Sequence, residues 1–221
     1  MSFEEYAEKL FHLLAEIFGD DECQFKKERL KEIFEVSNNA WNKNLELLKG
    51  DEVEYLLVGE APPWSSHGKV IYFYTTFDNS NGGRPITWIR GLWKSLIDEP
   101  PVSNVDENLK KLAKRKFLLI DSLPFAMPYT TKIRKTTEYK NLVNQCGAYF
   151  LEKIENHNIQ WSKSLKVAIA FDCHGKALIE RFPDGISLPN GVNIALRGAI
   201  ATSGNGFPTM KTLSQKWCKK G

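Results

Sequence analysis

The sequence predicts an α/β domain, a three-layer α/β/α sandwich around a four-stranded, mostly parallel sheet with two helices ahead of it. Two observations carry that prediction. Short apolar runs alternate with segments of helical periodicity, the pattern of parallel strands joined by crossover helices. Several of the runs also end on a polar residue at the start of a loop: Glu60 after Tyr55–Val58, Asp121 after Phe117–Ile120, and Asp172 after Leu165–Phe171. In open parallel sheets such strand ends share one edge, where ligands bind.

The elements follow in order. Ser2 and Glu5 form a capping box. Phe3, Tyr6, Leu10, Leu13, Leu14 and Ile17 follow at helical spacing up to Gly19-Asp20. A second helix is predicted from Phe25 to Leu48 on the stripe Leu30, Ile33, Phe34, Trp41 and Leu45, closed by Gly50-Asp51. Residues 1–50 thus read as an N-terminal helical extension and residues 51–221 as the α/β domain.

Val53–Pro63 is the central stretch: an apolar run leaves its strand through Gly59-Glu60-Ala61-Pro62-Pro63. The glycine permits a tight turn or a close approach, and the prolines stop the ladder. Beyond it, Tyr72-Phe73-Tyr74 reads as a short strand or a pocket wall. A helix follows on Ile86, Ile89, Trp93 and Leu96, and a polar helix spans Asp106 to Lys114. Phe117–Ile120 is the second strand, and a long helix capped by Thr136 or Thr137 carries Tyr139, Leu142, Cys146, Phe150 and Ile154. Leu165–Phe171 is the third strand, and a helix opens at His174. Val192–Leu196 is the fourth strand, and an amphipathic helix ends the chain.

Composition narrows the function classes. The 221 residues hold 42% apolar residues and a net charge of +3, too weak alone to argue for nucleic acid. Cys23, Cys146, Cys173 and Cys218 are scattered without metal spacing, which suits reduced thiols in a cytoplasmic protein. No signal peptide is read, and no run reaches the ~18 apolar residues of a membrane span. Neither a GxGxxG fingerprint nor a P-loop is present, which disfavours an unrelated nucleotide-binding domain.

The ordered motifs resemble the uracil-DNA glycosylase superfamily. Leu57-Val58-Gly59-Glu60-Ala61-Pro62 is similar to the GEAPG water-activating motif of its family 4 branch, and Gly83-Arg84-Pro85-Ile86 to that branch's GRPF segment. Leu119-Ile120-Asp121-Ser122 falls where the family's strand ends in a uracil-reading asparagine, and Thr202–Pro208 where it has its HPSP loop. The resemblance implies a DNA base glycosylase-like protein of DNA repair. It would hydrolyse or recognise a flipped, damaged or deaminated base. The alternative is an inactive descendant that binds a nucleobase or nucleic acid. Glu60 would be catalytic, orienting water or stabilising the sugar cation. Gly59, Ala61, Pro62, Phe73, Asp121, Ser203 and Asn205 would bind substrate, with Phe73, or its neighbour Tyr74, stacking on the base and Asp121 reading it. An ionised Asp121 only accepts hydrogen bonds, and therefore suits an edge rich in donors. Ser203 or Asn205 takes the place of the family's histidine. His67 would supply the missing donor if its loop folds over the pocket, and His174 is placed to meet a phosphate. The family's iron–sulfur cysteines are absent, so no cofactor or metal is expected. The expected partner is DNA, met by a monomer, with Lys132–Lys135 and Lys211–Lys220 flanking a groove; no membrane is expected.

Overall fold

The computed structural model describes residues 2–76, 87–97, 99, 101–155, 157–188, 190–202 and 208–217. The GRPI segment, Ser203, Asn205 and Cys218 lie outside the described residues.

Three helices lead the chain: α1 (Phe3–Phe18), α2 (Asp20–Phe25) and α3 (Lys27–Leu47). Ser2 and Glu5 cap α1 reciprocally, and Gly19, at φ 92°, stops it in a conformation that favours glycine. The sequence signals for α1 therefore sit where the helix begins and ends. The second predicted helix is preceded by the separate turn α2, and α3 starts at Lys27. Strand β1 (Glu52–Gly59) follows, then the single turn α4 (Phe73–Thr76), α5 (Thr87–Leu96), α6 (Val105–Lys114) and strand β2 (Phe117–Asp121). The predicted long helix is two, α7 (Thr137–Gln145) and α8 (Gly147–Glu155), broken at Cys146; Thr136 caps α7. Strand β3 (Gln160–Ile169), α9 (Asp172–Arg181), the short strands β4 (Ile186–Ser187) and β5 (Asn193–Ile194), and α10 (Met210–Trp217) complete the order.

The sheet is parallel, in the order β2-β1-β3, with Gly59 level with Asp121 and Val58 level with Ile169. Leu56, Leu57 and Val58 are buried in succession, as are all five residues of β2. Side chains alternate faces along a strand, so consecutive burial means that both faces of the sheet are covered. Helix α10 packs on β3, while α6 and α8 pack on β2. The Trp217 ring meets Tyr55 at 5.6 Å and Phe117 at 6.1 Å between centroids. Helices α1 and α3 share this core: the Phe3 ring lies 5.7 Å from that of Phe125.

The fourth strand requires a correction. Within Val192–Leu196 only Asn193–Ile194 is a strand, and it pairs antiparallel with β4. Beside β3 stands the next segment, 199–201, joined by one parallel bridge from Ile169 to Ile200. A turn explains the division. The Ala199 amide bonds the Leu196 carbonyl at 3.1 Å, and Gly198 has φ 75°, so the apolar run folds back before it can extend the ladder. Among the described residues the parallel sheet therefore has three strands.

β2 is an edge, and an edge strand leaves backbone groups facing outward. The Tyr74 hydroxyl meets this need at Leu119: it accepts from the amide at 2.7 Å and donates to the carbonyl at 3.1 Å. Trp41 Nε1 donates to the same carbonyl at 3.0 Å. Tyr74→Phe leaves a buried amide without an acceptor, so urea unfolding should show a loss of about 1–3 kcal/mol.

No helix of the described residues is long and apolar enough to cross a membrane. Cys23, Cys146 and Cys173 are free thiols.

Candidate functional site

Because β1, β2 and β3 run parallel, their carboxyl ends meet at one edge, where Gly59-Glu60, Asp121 and Ala170-Phe171 line a cleft of about 400 Å³. Glu60, Asp121 and Arg134 bring the charged groups to its lining, and Trp64, Tyr72, Tyr129 and Phe171 bring aromatic rings among mostly apolar neighbours. Gly59 is a spatial necessity: a Cβ there would stand 2.0 Å from Asp121 Oδ1.

Glu60 is 5% exposed and tightly held. Arg134 donates from Nε to Oε1 at 2.7 Å and from Nη2 to Oε2 at 2.6 Å, a bidentate clamp. The Tyr139 hydroxyl donates to Oε1 as well. The network continues from the tyrosine oxygen to His174 Nδ1 at 2.8 Å, and from His174 Nε2 to Ser122 Oγ at 2.7 Å. The tyrosine spends its one proton on Glu60, so His174 Nδ1–H donates to it and Ser122 donates to Nε2. The imidazole is neutral in this arrangement. Burial pushes its pKa down to about 4 and Arg134 adds to the depression, while Glu60 opposes it. The Arg134 guanidinium also stacks over the Phe171 ring at 4.8 Å.

Asp121 lines the same cleft. Burial pushes its carboxyl up to about 7; Glu60 acts in the same direction, and the Tyr72 hydroxyl and Lys153 oppose. Among the described residues its Oδ2 is buried without a hydrogen-bond partner. Lys153 is itself buried, which pushes it down to about 8. Its ammonium donates to Asn38 Oδ1 and sits 3.8 Å from the centroid of the Trp41 ring.

These shifts set two opposing pH dependences. His174 is depressed from an ordinary 6.5, so its contribution to stability is present above 6.5 and lost as pH falls through about 4. Asp121 is raised from 3.8, so its contribution is present below 3.8 and lost as pH rises through about 7. With Asp121→Asn removing the second effect, urea midpoints should fall on acidification from pH 6.5 to 4, following the histidine. Adding His174→Gln should abolish that segment of the loss.

The structure brings Gly59, Glu60, Ala61, Pro62, Phe73 and Asp121 onto one cleft; Ser203 and Asn205 lie outside the described residues. Phe73 is 3% exposed and packs against Tyr74 and Phe117, so it offers the cleft little more than an edge. Tyr74, the other stacking candidate, is committed to β2 and lies outside the cleft lining. His67 is exposed, bonded to Ser66 Oγ at 2.8 Å, and does not line the cleft. His174 meets no phosphate, because it is wholly buried in the Glu60 network. The basic cluster divides: Lys132 and Lys135 are exposed, whereas Arg134 turns inward to Glu60.

Sequence reasoning missed the roles of Arg134, Tyr139 and Ser122. Tyr139 carried a faint signal, since a tyrosine within an apolar helical stripe needs a partner for its hydroxyl. Arg134 gave none beyond its charge, because the single 3-10 turn that carries it, Ile133–Lys135, is too short to show periodicity. Among the described residues no group of three His, Cys, Asp or Glu side chains is placed to hold a metal ion. No family model, curated protein or solved structure matches the chain.

Proposed function

We propose that the cleft takes up one planar nucleobase turned out of a DNA strand, in an α/β/α arrangement of the uracil-DNA glycosylase type, and that it recognises the base without hydrolysing it. The observation that carries this reading is the cleft itself: Glu60, Asp121 and Arg134 share one lining with aromatic side chains, at the carboxyl ends of parallel strands. Its volume of about 400 Å³ lies at the small-ligand end of binding pockets, typically ~300–1,000 Å³. Aromatic lining residues suit a flat ring, and the charged ones suit a polar ring edge.

The state of Glu60 favours recognition over hydrolysis. An ionised carboxylate has about four acceptor sites. Arg134 and Tyr139 occupy three of them. One observation keeps glycosidic hydrolysis as a second reading. Glu60 and Arg134 both face the cleft, where the carboxylate could steady a sugar cation and the guanidinium a departing anionic base.

Labelled single-stranded oligonucleotides carrying uracil, hypoxanthine or an abasic analogue separate the readings. The base-bearing strands should bind more tightly than the abasic one, and alkali should release no fragments after incubation. Equal affinity for all three would sink base recognition. Alkali-labile sites that vanish in Glu60→Gln would establish the glycosylase instead.

A further inference from the structure

The rim of the cleft is held from outside the sheet. Residues 61–71 run between β1 and α4, and Ala61, Pro62, Pro63, Trp64 and Ile71 from this stretch line the cleft. Among the described residues the stretch makes no backbone–backbone hydrogen bond. A segment without such bonds keeps one shape only where side chains fix it.

Arg29, on helix α3, supplies that fixing. Its Nε donates to the Ser65 carbonyl at 2.8 Å, and its Nη2 donates to Ser65 Oγ at 2.7 Å and to the Gly68 carbonyl at 3.0 Å. Nη1 meets Glu32 at 2.5 Å. The planar fork of a guanidinium reaches several oxygens of one loop in a fixed geometry, which an ammonium does not. The side chain is 13% exposed, so water competes little for its donors. Trp64 immediately precedes Ser65, and Lys26 places its ammonium 5.2 Å from the centroid of the indole. Beyond Arg29, the one hydrogen bond from the stretch to the rest of the described residues is from Thr75 Oγ1 to the Val70 carbonyl, at 3.5 Å.

Arg29 does not line the cleft, whereas Trp64 does. Among the other aromatic lining residues, Tyr72, Phe73 and Tyr129 are buried, and Arg134 stacks on Phe171. Trp64 is half-buried and has ring surface to offer a ligand. A ring already held in place spares the cost of ordering it on binding.

We propose that Arg29 is a positioning residue of the cleft: it pins the 64–68 rim to α3 and thereby holds Trp64 where the indole covers a bound planar heterocycle. The helices ahead of the sheet are then part of the ligand site. This rests on the nucleobase reading of the cleft.

A double-mutant cycle tests the proposal, with a uracil-bearing single-stranded oligonucleotide and its abasic analogue as probes. The readout is the ratio of the two affinities, which cancels any effect of lost surface charge. Trp64→Ala should lower the ratio about tenfold, within the range of one base-on-ring contact. Arg29→Met keeps the stem, removes the donors and should lower it by a similar factor. In a Trp64→Ala background, Arg29→Met should change the ratio by less than about twofold, because the ring it positions is gone. Emission from Trp64, taken as the difference from Trp64→Phe, should be quenched by the uracil strand in the unmodified protein and not in Arg29→Met; a merely structural role would leave the quenching of bound protein intact. Ser65→Ala removes one contact from the loop side and should lower the ratio about twofold, which decides the matter if Arg29→Met does not fold. An unchanged ratio in the folded variant, or an equal loss with and without Trp64, overturns the proposal and leaves the nucleobase reading standing. Equal affinity of the unmodified protein for both strands overturns both.

Discussion

Arg134→Met is expected to destabilise the protein by about 3–5 kcal/mol, the usual cost of leaving one member of a buried ion pair without its partner. The pair qualifies as buried: the Arg134 side chain is 11% exposed and that of Glu60 5%. Methionine keeps much of the apolar stem, so the loss isolates the guanidinium. Without it, the Glu60 carboxylate retains only the Tyr139 hydroxyl among its partners in the described residues. Pairing Arg134→Met with Glu60→Gln removes both charges together, and the double variant should recover a large part of the loss. A double-mutant cycle in urea should give a coupling energy above ~1 kcal/mol, as expected for residues in direct contact. Additive effects would mean that the clamp contributes nothing in solution.

Gly59→Ala should cost about 1–3 kcal/mol through overpacking. The added methyl would stand 2.0 Å from Asp121 Oδ1 and 3.2 Å from its Cγ, and β1 and β2 are hydrogen-bonded at this level. The side chain of Asp121 therefore has to move, or the strands must part. The effect should depend on its partner. In an Asp121→Ala background the next atom is the residue-121 Cα at 3.8 Å, an ordinary contact. The same substitution at Gly59 should then cost well under ~1 kcal/mol. An equal cost in both backgrounds would show that the glycine serves backbone conformation instead of room for the carboxyl.

What could be read in the sequence was what periodicity and caps encode. The capping box at Ser2, the stop at Gly19, and the runs that became β1 and β2 stand where local chemistry placed them. The position of Glu60 and Asp121 at one sheet edge was legible for the same reason: parallel strands bring their ends together. The fourth strand misled, because a five-residue segment with four apolar side chains does not reveal its partner. The hairpin with β4 is a tertiary choice, as is the bridge from Ile200 to β3. The site was half legible. Its residues on strand ends were visible, but what they bond to was not. Arg134 reaches Glu60 across 74 positions of chain and Tyr139 across 79, distances over which no local pattern operates. The charge state of Asp121 was hidden for a related reason. It is set by burial and by what α3 and α8 place behind it, and those helices are remote in sequence.

Nucleobase binding in the cleft at the ends of β1, β2 and β3 can be read by amide chemical-shift mapping during titration with a uracil-bearing single-stranded oligonucleotide. The largest shifts are expected at Gly59, Glu60, Ala61, Asp121 and Phe171, absent when the base is replaced by an abasic analogue. Shifts confined to exposed lysines such as Lys132 and Lys135, and equal for both oligonucleotides, would contradict it and reduce the DNA contact to surface charge.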